Sequence, residues 1–296
     1  MKWRWAAGLL AAPCLIALAF AGWVYAASES HLRSFGRPAA FTQPIPTDAA
    51  AIARGDHLVR TRGCRGCHAD DLGGQVMWGV AVAPNLAALA RSESPATLEA
   101  AIRHGIGRDG RALYSMPAYN FVRMRDADLA DIIAYLRTVP VVPRKLPRPS
   151  LPFAVRRAIA LGRDAAIPAY LERVPPLQRA NDADGRMARG EYTAMTTCNE
   201  CHGFGLRADT PWEEDTAPDL IIVAGYPEAD FRRLMRDGIA IGDRELEMMS
   251  GIARSRFAHF TEDEVSDLYA FLRDMSARAT AAGSGGATPA ATGATQ

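Results

Sequence analysis

The sequence has little cysteine, no surplus of either charge sign and almost no strand-like alternation, and each shortage removes a class of protein. Among 296 residues there are five cysteines. Four fall into two short motifs and the fifth, Cys14, lies in an apolar N-terminal run, so no pair is left for a structural disulfide. The 34 basic and 33 acidic residues nearly cancel. That balance gives no reason to expect nucleic acid as a partner and no extreme steering field over the whole molecule. Also lacking are a Rossmann glycine pattern after a strand and a Ser-His-Asp signature, so the chain reads as an accessory to an enzyme more than as an enzyme.

What is present is a repeated pentapeptide, Cys64-Arg65-Gly66-Cys67-His68 and Cys198-Asn199-Glu200-Cys201-His202. Cys-x-x-Cys-His is the attachment signature of c-type haem. Two thiols three residues apart on one helical turn reach both vinyl groups, and the adjoining His reaches the iron. Half of a zinc site or a thiol redox pair also uses Cys-x-x-Cys, but neither needs the following His. Zinc knuckles also pair within tens of residues, whereas these motifs lie far apart, each in its own repeat. Two covalent haems are the expected cofactors, with no second metal cluster besides them.

The second half repeats the first at an offset of about 134 residues. Arg54-Gly55 recurs as Arg189-Gly190, Ala83-Pro84-Asn85-Leu86 as Ala217-Pro218-Asp219-Leu220, and Arg103-His104-Gly105-Ile106 as Arg236-Asp237-Gly238-Ile239. Leu113 and Met116 match Leu246 and Met249. The stripe Leu129, Ile132, Ile133, Leu136 matches Val265, Leu268, Tyr269, Leu272, the spacing of a helix that buries one face. Thr261 with Glu264 forms a capping box, and Asp126 is expected to cap the counterpart helix. Helices are also expected over 48–62 and 185–196. At 296 residues the chain accommodates two domains of about 100 residues. Each is expected to be mostly helical with long loops, its thin core completed by haem.

The expected organisation is an N-terminal segment over 1–27, a first domain over 48–139, a Pro-rich linker over 140–186, a second domain over 187–276 and a disordered tail over 277–296. Five prolines from Pro140 to Pro152 favour extended chain in the linker, and 153–162 reads as a packed helix. The run Trp5 to Ala27 is uncharged, follows Lys2 and Arg4, and ends in Trp23 and Tyr25, which suit a membrane interface. A retained anchor is favoured over a cleaved signal peptide ending at Ala26, because signal cores are shorter. A lipid on Cys14 is disfavoured by Pro13. Basic residues at the start keep the N-terminus inside, so the rest faces the periplasm or is secreted into it.

These residues together resemble the class I cytochrome c fold, repeated in tandem as in two-domain, membrane-anchored di-haem c-type cytochromes. The resemblance covers about 50–138 and 187–275. It implies a mainly α fold in which Cys64, Cys67, Cys198 and Cys201 form the haem thioethers and His68 and His202 are the proximal ligands. Met116, in Tyr114-Ser115-Met116-Pro117, is implied as distal ligand of the first iron, and Met249, with Met248 as the alternative, as that of the second. Pro84 and Pro218 are implied to accept a hydrogen bond from the proximal His. Gly55 and Gly190 are implied to let Tyr135 and Phe271 approach closely.

His104 faces Asp237 in the other copy and is not expected to ligate. His31, His57 and His259 read as surface or capping residues, Trp78 and Trp212 as packing. With His and Met ligation the chain is expected to pass single electrons between a dehydrogenase or quinol-oxidising complex and an oxidase or soluble cytochrome. A di-haem peroxidase or a haem-based gas sensor is the alternative if the second iron has an open site.

Overall fold

The computed structural model describes residues 2–77, 81–179, 185–210 and 217–284, with side chains from 12 to 281. Trp78 and Trp212 lie outside the described residues. The chain divides into two compact units, residues 1–56 with 64–173, and residues 57–63 with 174–296.

In chain order the first part comprises helices α1 (Lys2–Leu32), α2 (Ala49–Thr61) and α3 (Cys64–His68) and a small antiparallel hairpin of β1 (Gln75–Met77) and β2 (Ala81–Ala83), with Val76 opposite Val82. Then come α4 (Leu86–Ser92), α5 (Pro95–His104), a 3-10 turn (Ala118–Asn120), α6 (Asp126–Thr138), α7 (Phe153–Ala160) and a second 3-10 turn (Ile167–Arg173). Capping fixes the boundaries. The Asp48 carboxylate accepts the Ala51 N–H at 2.9 Å, Asn85 accepts that of Ala88 at 2.9 Å and Ser94 that of Thr97 at 3.1 Å. Gly105, at φ 64°, closes α5 in the left-handed conformation that a Cβ disfavours. The α6 stripe of Leu129, Ile132, Ile133 and Leu136 is buried as expected, each side chain contributing about 1.5–3 kcal/mol.

The second part holds α8 (Arg186–Met195), α9 (Asn199–His202), a 3-10 turn (Leu220–Gly225), α10 (Glu228–Asp237), the two-residue strands β3 (Ile239–Ala240) and β4 (Arg244–Glu245), α11 (Glu247–Ser255), a 3-10 turn (Phe257–His259) and α12 (Glu262–Ser284). The capping box is formed: the Thr261 N–H donates to Glu264 at 2.8 Å and the Glu264 N–H to the Thr261 hydroxyl at 3.1 Å. Val265, Leu268 and Leu272 are buried. Tyr269 is half-buried, its ring 5.2 Å from that of Phe231 and its hydroxyl donating to the Tyr226 carbonyl at 2.8 Å.

The same close helix crossing occurs in both units. A Cβ on Gly55 would lie 2.1 Å from the Asp131 carbonyl oxygen and 2.7 Å from the Tyr135 Cβ; on Gly190 it would lie 2.1 Å from that of Asp267 and 2.7 Å from the Phe271 Cβ. Only glycine permits helix axes this close. One residue before each glycine an Arg binds the buried acid of the crossing helix, Arg54 to Asp131 and Arg189 to Asp267.

Four expectations are corrected. Asp126 is not the cap of α6: it lies within the first turn, where its carboxylate pairs with Arg103 at 2.7 Å, and Arg125 occupies the cap position. Residues 140–173, read as most of a Pro-rich linker separate from the first domain, fall within the first unit. Asn85 donates to the Val142 carbonyl at 2.9 Å, and Arg144 binds Asp71 at 2.7 Å, so this Pro-rich stretch is extended but fastened down. The last helix continues past 276 to Ser284, since Ala277, Ala279, Ala281 and Ala282 favour helix and the Ser276 hydroxyl bonds back to the Leu272 carbonyl; residues 285–296 lie outside the description. His31, read as a surface or capping residue, is half-buried and engaged: its ring accepts the Ala166 N–H at 3.2 Å and meets Phe35 edge-on.

Candidate haem sites

Each pentapeptide forms a single helical turn that ends on its histidine, both imidazoles being nearly buried. Sixteen residues on, a proline carbonyl accepts a hydrogen bond from the ring, His68 Nδ1 to Pro84 O at 2.8 Å and His202 Nδ1 to Pro218 O at 2.8 Å. A carbonyl only accepts, so Nδ1 carries the proton and the Nε2 lone pair is left for a metal. Burial pushes the pKa of both histidines down, against the opposing effect of the proline hydrogen bond. Both are thereby kept as the neutral species that ligates.

The loop leaving each histidine is the same strained object. In the first copy Ala69, Leu72 and Gly74 have φ of 65°, 57° and 83°; in the second Gly203, Leu206 and Ala208 have 91°, 65° and 58°. The hydrogen bonds match too. Gly74 N–H donates to His68 O at 2.9 Å and Leu86 N–H to Leu72 O at 2.9 Å, while Ala208 N–H donates to His202 O at 2.8 Å and Leu220 N–H to Leu206 O at 3.0 Å. A left-handed leucine costs about 1–2 kcal/mol, and such strain persists where the surroundings over-determine it, as they do around a functional site.

The thiols fit thioether formation better than the rival chemistries. Burial, followed by the charge of Cys201, pushes the Cys198 thiol up to about 12, the reverse of the lowered value a redox dithiol needs. Among the described residues no group of three or more His, Cys, Asp or Glu side chains is placed to hold a metal ion, so neither Cys-x-x-Cys completes a zinc site there. A Cys-x-x-Cys-His turn with an oriented, neutral imidazole fits covalent haem, which Cys64, Cys67 and His68, and Cys198, Cys201 and His202, would hold.

The two candidate distal ligands are presented differently. Met116 is half-buried in a tight turn in which its carbonyl accepts the Ala118 N–H at 2.8 Å. Met249 is half-buried in the first turn of α11, whereas Met248 beside it is 64% exposed. His104 is engaged by the buried Glu99 at 2.8 Å. Asp164, on the stretch read as linker, accepts the Tyr114 hydroxyl at 2.5 Å; nothing in the sequence pattern singles it out.

Residues 52–140 match the cytochrome c family model. The chain is 24% identical over 276 residues to the "Alcohol dehydrogenase (quinone), cytochrome c subunit" of Gluconacetobacter polyoxogenes, an alignment covering 80% of this chain and 58% of that relative. It is 29% identical over 182 residues to the "Fructose dehydrogenase cytochrome subunit" of Gluconobacter japonicus, covering 54% and 37%. With the "Diheme cytochrome c-type" of Cereibacter sphaeroides the identity is 27% over 207 residues, covering 58% and 67%. The alignments thus span 58% of the length of the first of these dehydrogenase subunits and 37% of the second.

Proposed function

We propose that this chain, a c-type cytochrome, carries two covalent haems and serves as the electron-transferring subunit of a membrane-bound dehydrogenase. The observation that carries the second haem is the geometry beneath the second pentapeptide. The 2.8 Å bond from His202 to the Pro218 carbonyl repeats that of His68 to Pro84. Bound haem supplies an iron that cycles between two oxidation states and so takes up and gives out one electron. The chain's own residues do the rest. The prolines fix the imidazole planes, the methionines Met116 and Met249 would supply the thioether ligands, and apolar burial would favour the less charged ferrous state. Met249 is preferred to Met248, which points to solvent.

The relatives are named as cytochrome subunits of dehydrogenases, and a partner of that kind is the donor in this reading. Electrons leave to an oxidase or a soluble cytochrome by brief encounters, for which small interfaces suffice.

The N-terminal helix is read as a retained anchor with the haem units on the periplasmic side. Residues 12–32 are long and apolar enough to cross a bilayer. The C-terminal part of that same stretch packs into the first unit. Val24, Ser28 and Leu32 are fully or almost fully buried, Leu32 O accepts the Ala112 N–H at 2.7 Å, and Arg156 stacks 4.7 Å from the Tyr25 ring. Cleavage after Ala26 would remove the buried Val24 and the Tyr25 ring beside Arg156.

The test is a haem count and a carbon monoxide titration on the full-length protein. Two haems per chain, neither binding carbon monoxide when reduced, is the expected result. One haem per chain would end the di-haem reading, and carbon monoxide binding at one of two haems would replace it with a peroxidase or gas-sensing role at the open iron.

A further inference from the structure

The Met116 loop is fastened from outside by chain that lies about fifty residues further on. Tyr114, two residues before the sulphur, donates its hydroxyl to Asp164 Oδ2 at 2.5 Å, and Asp164 is itself fixed, its Oδ1 accepting the Ala165 N–H at 2.7 Å. Three residues later the Ile167 N–H donates to the Leu113 carbonyl at 3.1 Å. Ala166 and Ile167 are buried, so the strap is packed and not merely adjacent. The loop is also tied at its base, where Leu113 N–H donates to the Gly105 carbonyl at 2.6 Å.

Among the described residues the second copy shows no equivalent strap. Glu247, exposed, stands where the first copy has Tyr114. Met249 is held within its own repeat, in α11, where the buried Ser250 donates its hydroxyl to the Gly238 carbonyl and accepts the Leu246 N–H at 2.7 Å.

We propose that Tyr114 and Asp164 are positioning residues for Met116, and that the segment from Asp164 to Ile167 braces the loop so that the first haem keeps its sulphur ligand. The proposal rests on the reading of Met116 as that ligand. A neutral thioether is held at iron only as firmly as its loop is held in place, and ordering a loop costs conformational entropy for each residue fixed. A hydrogen bond from a phenol to a carboxylate is among the stronger polar contacts available to offset that cost. Without it the loop opens more often, and an added ligand binds with an apparent affinity that rises in proportion to the open fraction.

Imidazole titration of the ferric, full-length holoprotein reads this directly, since the Met116 sulphur-to-iron bond breaks as an imidazole nitrogen-to-iron bond forms and no electron is moved. Tyr114→Phe and Asp164→Ala are each expected to raise the apparent imidazole affinity of one haem about tenfold. The double variant should go no further than either single, because both remove the same bond. The other haem serves as an internal control and should not change. Tyr114→Phe deletes one oxygen and keeps the ring, so it reports even if Asp164→Ala does not fold. Met116→Ala separates the premise from the proposal. If it leaves the sulphur-to-iron charge-transfer band of both haems intact, Met116 is not the ligand and the functional reading of this site fails. If it abolishes the band at one haem while Tyr114→Phe leaves imidazole affinity at the native value, the brace is overturned, whatever happens to the melting temperature.

Discussion

Replacing Gly190 by Ala tests the packing of the second unit with a single methyl group. The new Cβ would lie 2.1 Å from the Asp267 carbonyl oxygen and 2.7 Å from the Phe271 Cβ. The nearer obstacle is backbone and cannot rotate aside, so α8 and α12 must part by roughly 1 Å, a gap that forfeits a quarter to a half of each dispersion contact across it. Those contacts include Ala194, Met195, Leu268, Phe271 and Leu272, all buried. Overpacking of this kind costs about 1–3 kcal/mol, and a backbone obstacle places it at the upper end. Alanine returns about 1 kcal/mol through its better helix propensity. The net loss of about 2 kcal/mol corresponds to a fall of roughly 10 °C in melting temperature for a unit of this size. The control is Gly251 in α11, where an added Cβ meets nothing within 4 Å; Gly251→Ala should be neutral or stabilise by up to about 1 kcal/mol. Thermal melting of the holoprotein, followed by backbone circular dichroism and haem absorbance, compares the two. If Gly190→Ala melts at or above the native temperature, as Gly251→Ala should, the close crossing is wrong and with it the argument that both units share one packing scheme.

Changing Cys198 and Cys201 together to Ala should lower the covalent haem content from two per chain to one; a pyridine haemochrome assay that still finds two would refute the second site. Met249→Ala should lower the reduction potential of one haem and leave the other unchanged, while Met248→Ala should leave both as they are; redox titrations with the opposite pattern would exchange the two residues. A chain shortened to begin at Ala27 loses the buried Val24 and the Tyr25 ring under Arg156, and should be destabilised by about 1.5–3 kcal/mol for the valine alone. Intact-mass measurement on protein extracted from membranes should find Val24 still present, and a mature form starting at Ala27 would contradict the anchored reading.

Much of the architecture was legible because it is local or repeated. The pentapeptides, the α6 and α12 stripes and the Thr261–Glu264 capping box are short-range patterns whose physics is written within a turn or two of helix. Gly55 and Gly190 were readable through the resemblance, which implies an aromatic of the last helix packed against each. Asp131 and Asp267 recur just as regularly, yet an acid inside an apolar stripe carries no signal until its partner arginine, on a helix about 77 residues earlier, is known. The fastening of 140–173 was illegible for the same reason. Prolines announce extended chain but not the surface it lies on, and Asp164 looks like any linker acid until Tyr114 is found opposite it. The φ values above 50° at Leu72 and Leu206 could not be read either, because no propensity favours leucine there and only the surroundings impose it.

The parts of the chain outside the two repeats are not shared evenly between them. The end of α1 reaches the first unit at Ala112, the extended stretch after α6 reaches it at Asp71 and Asn85, and the strap reaches it at Leu113 and Tyr114. The last two attachments fall on the loops that carry the proposed haem ligands, between His68 and Pro84 or just ahead of Met116, or one residue past Pro84. Duplication alone would give two similar ligand sets and little reason for their properties to differ. External fastening changes that, because it adds restraint to one sulphur ligand without altering the atoms around the iron. It also couples that ligand to a segment packed beside α1, since Ala166 of the strap shares a buried cluster with Leu32. Under the proposed function the first haem is therefore the one whose sulphur ligand answers to the segment beside α1.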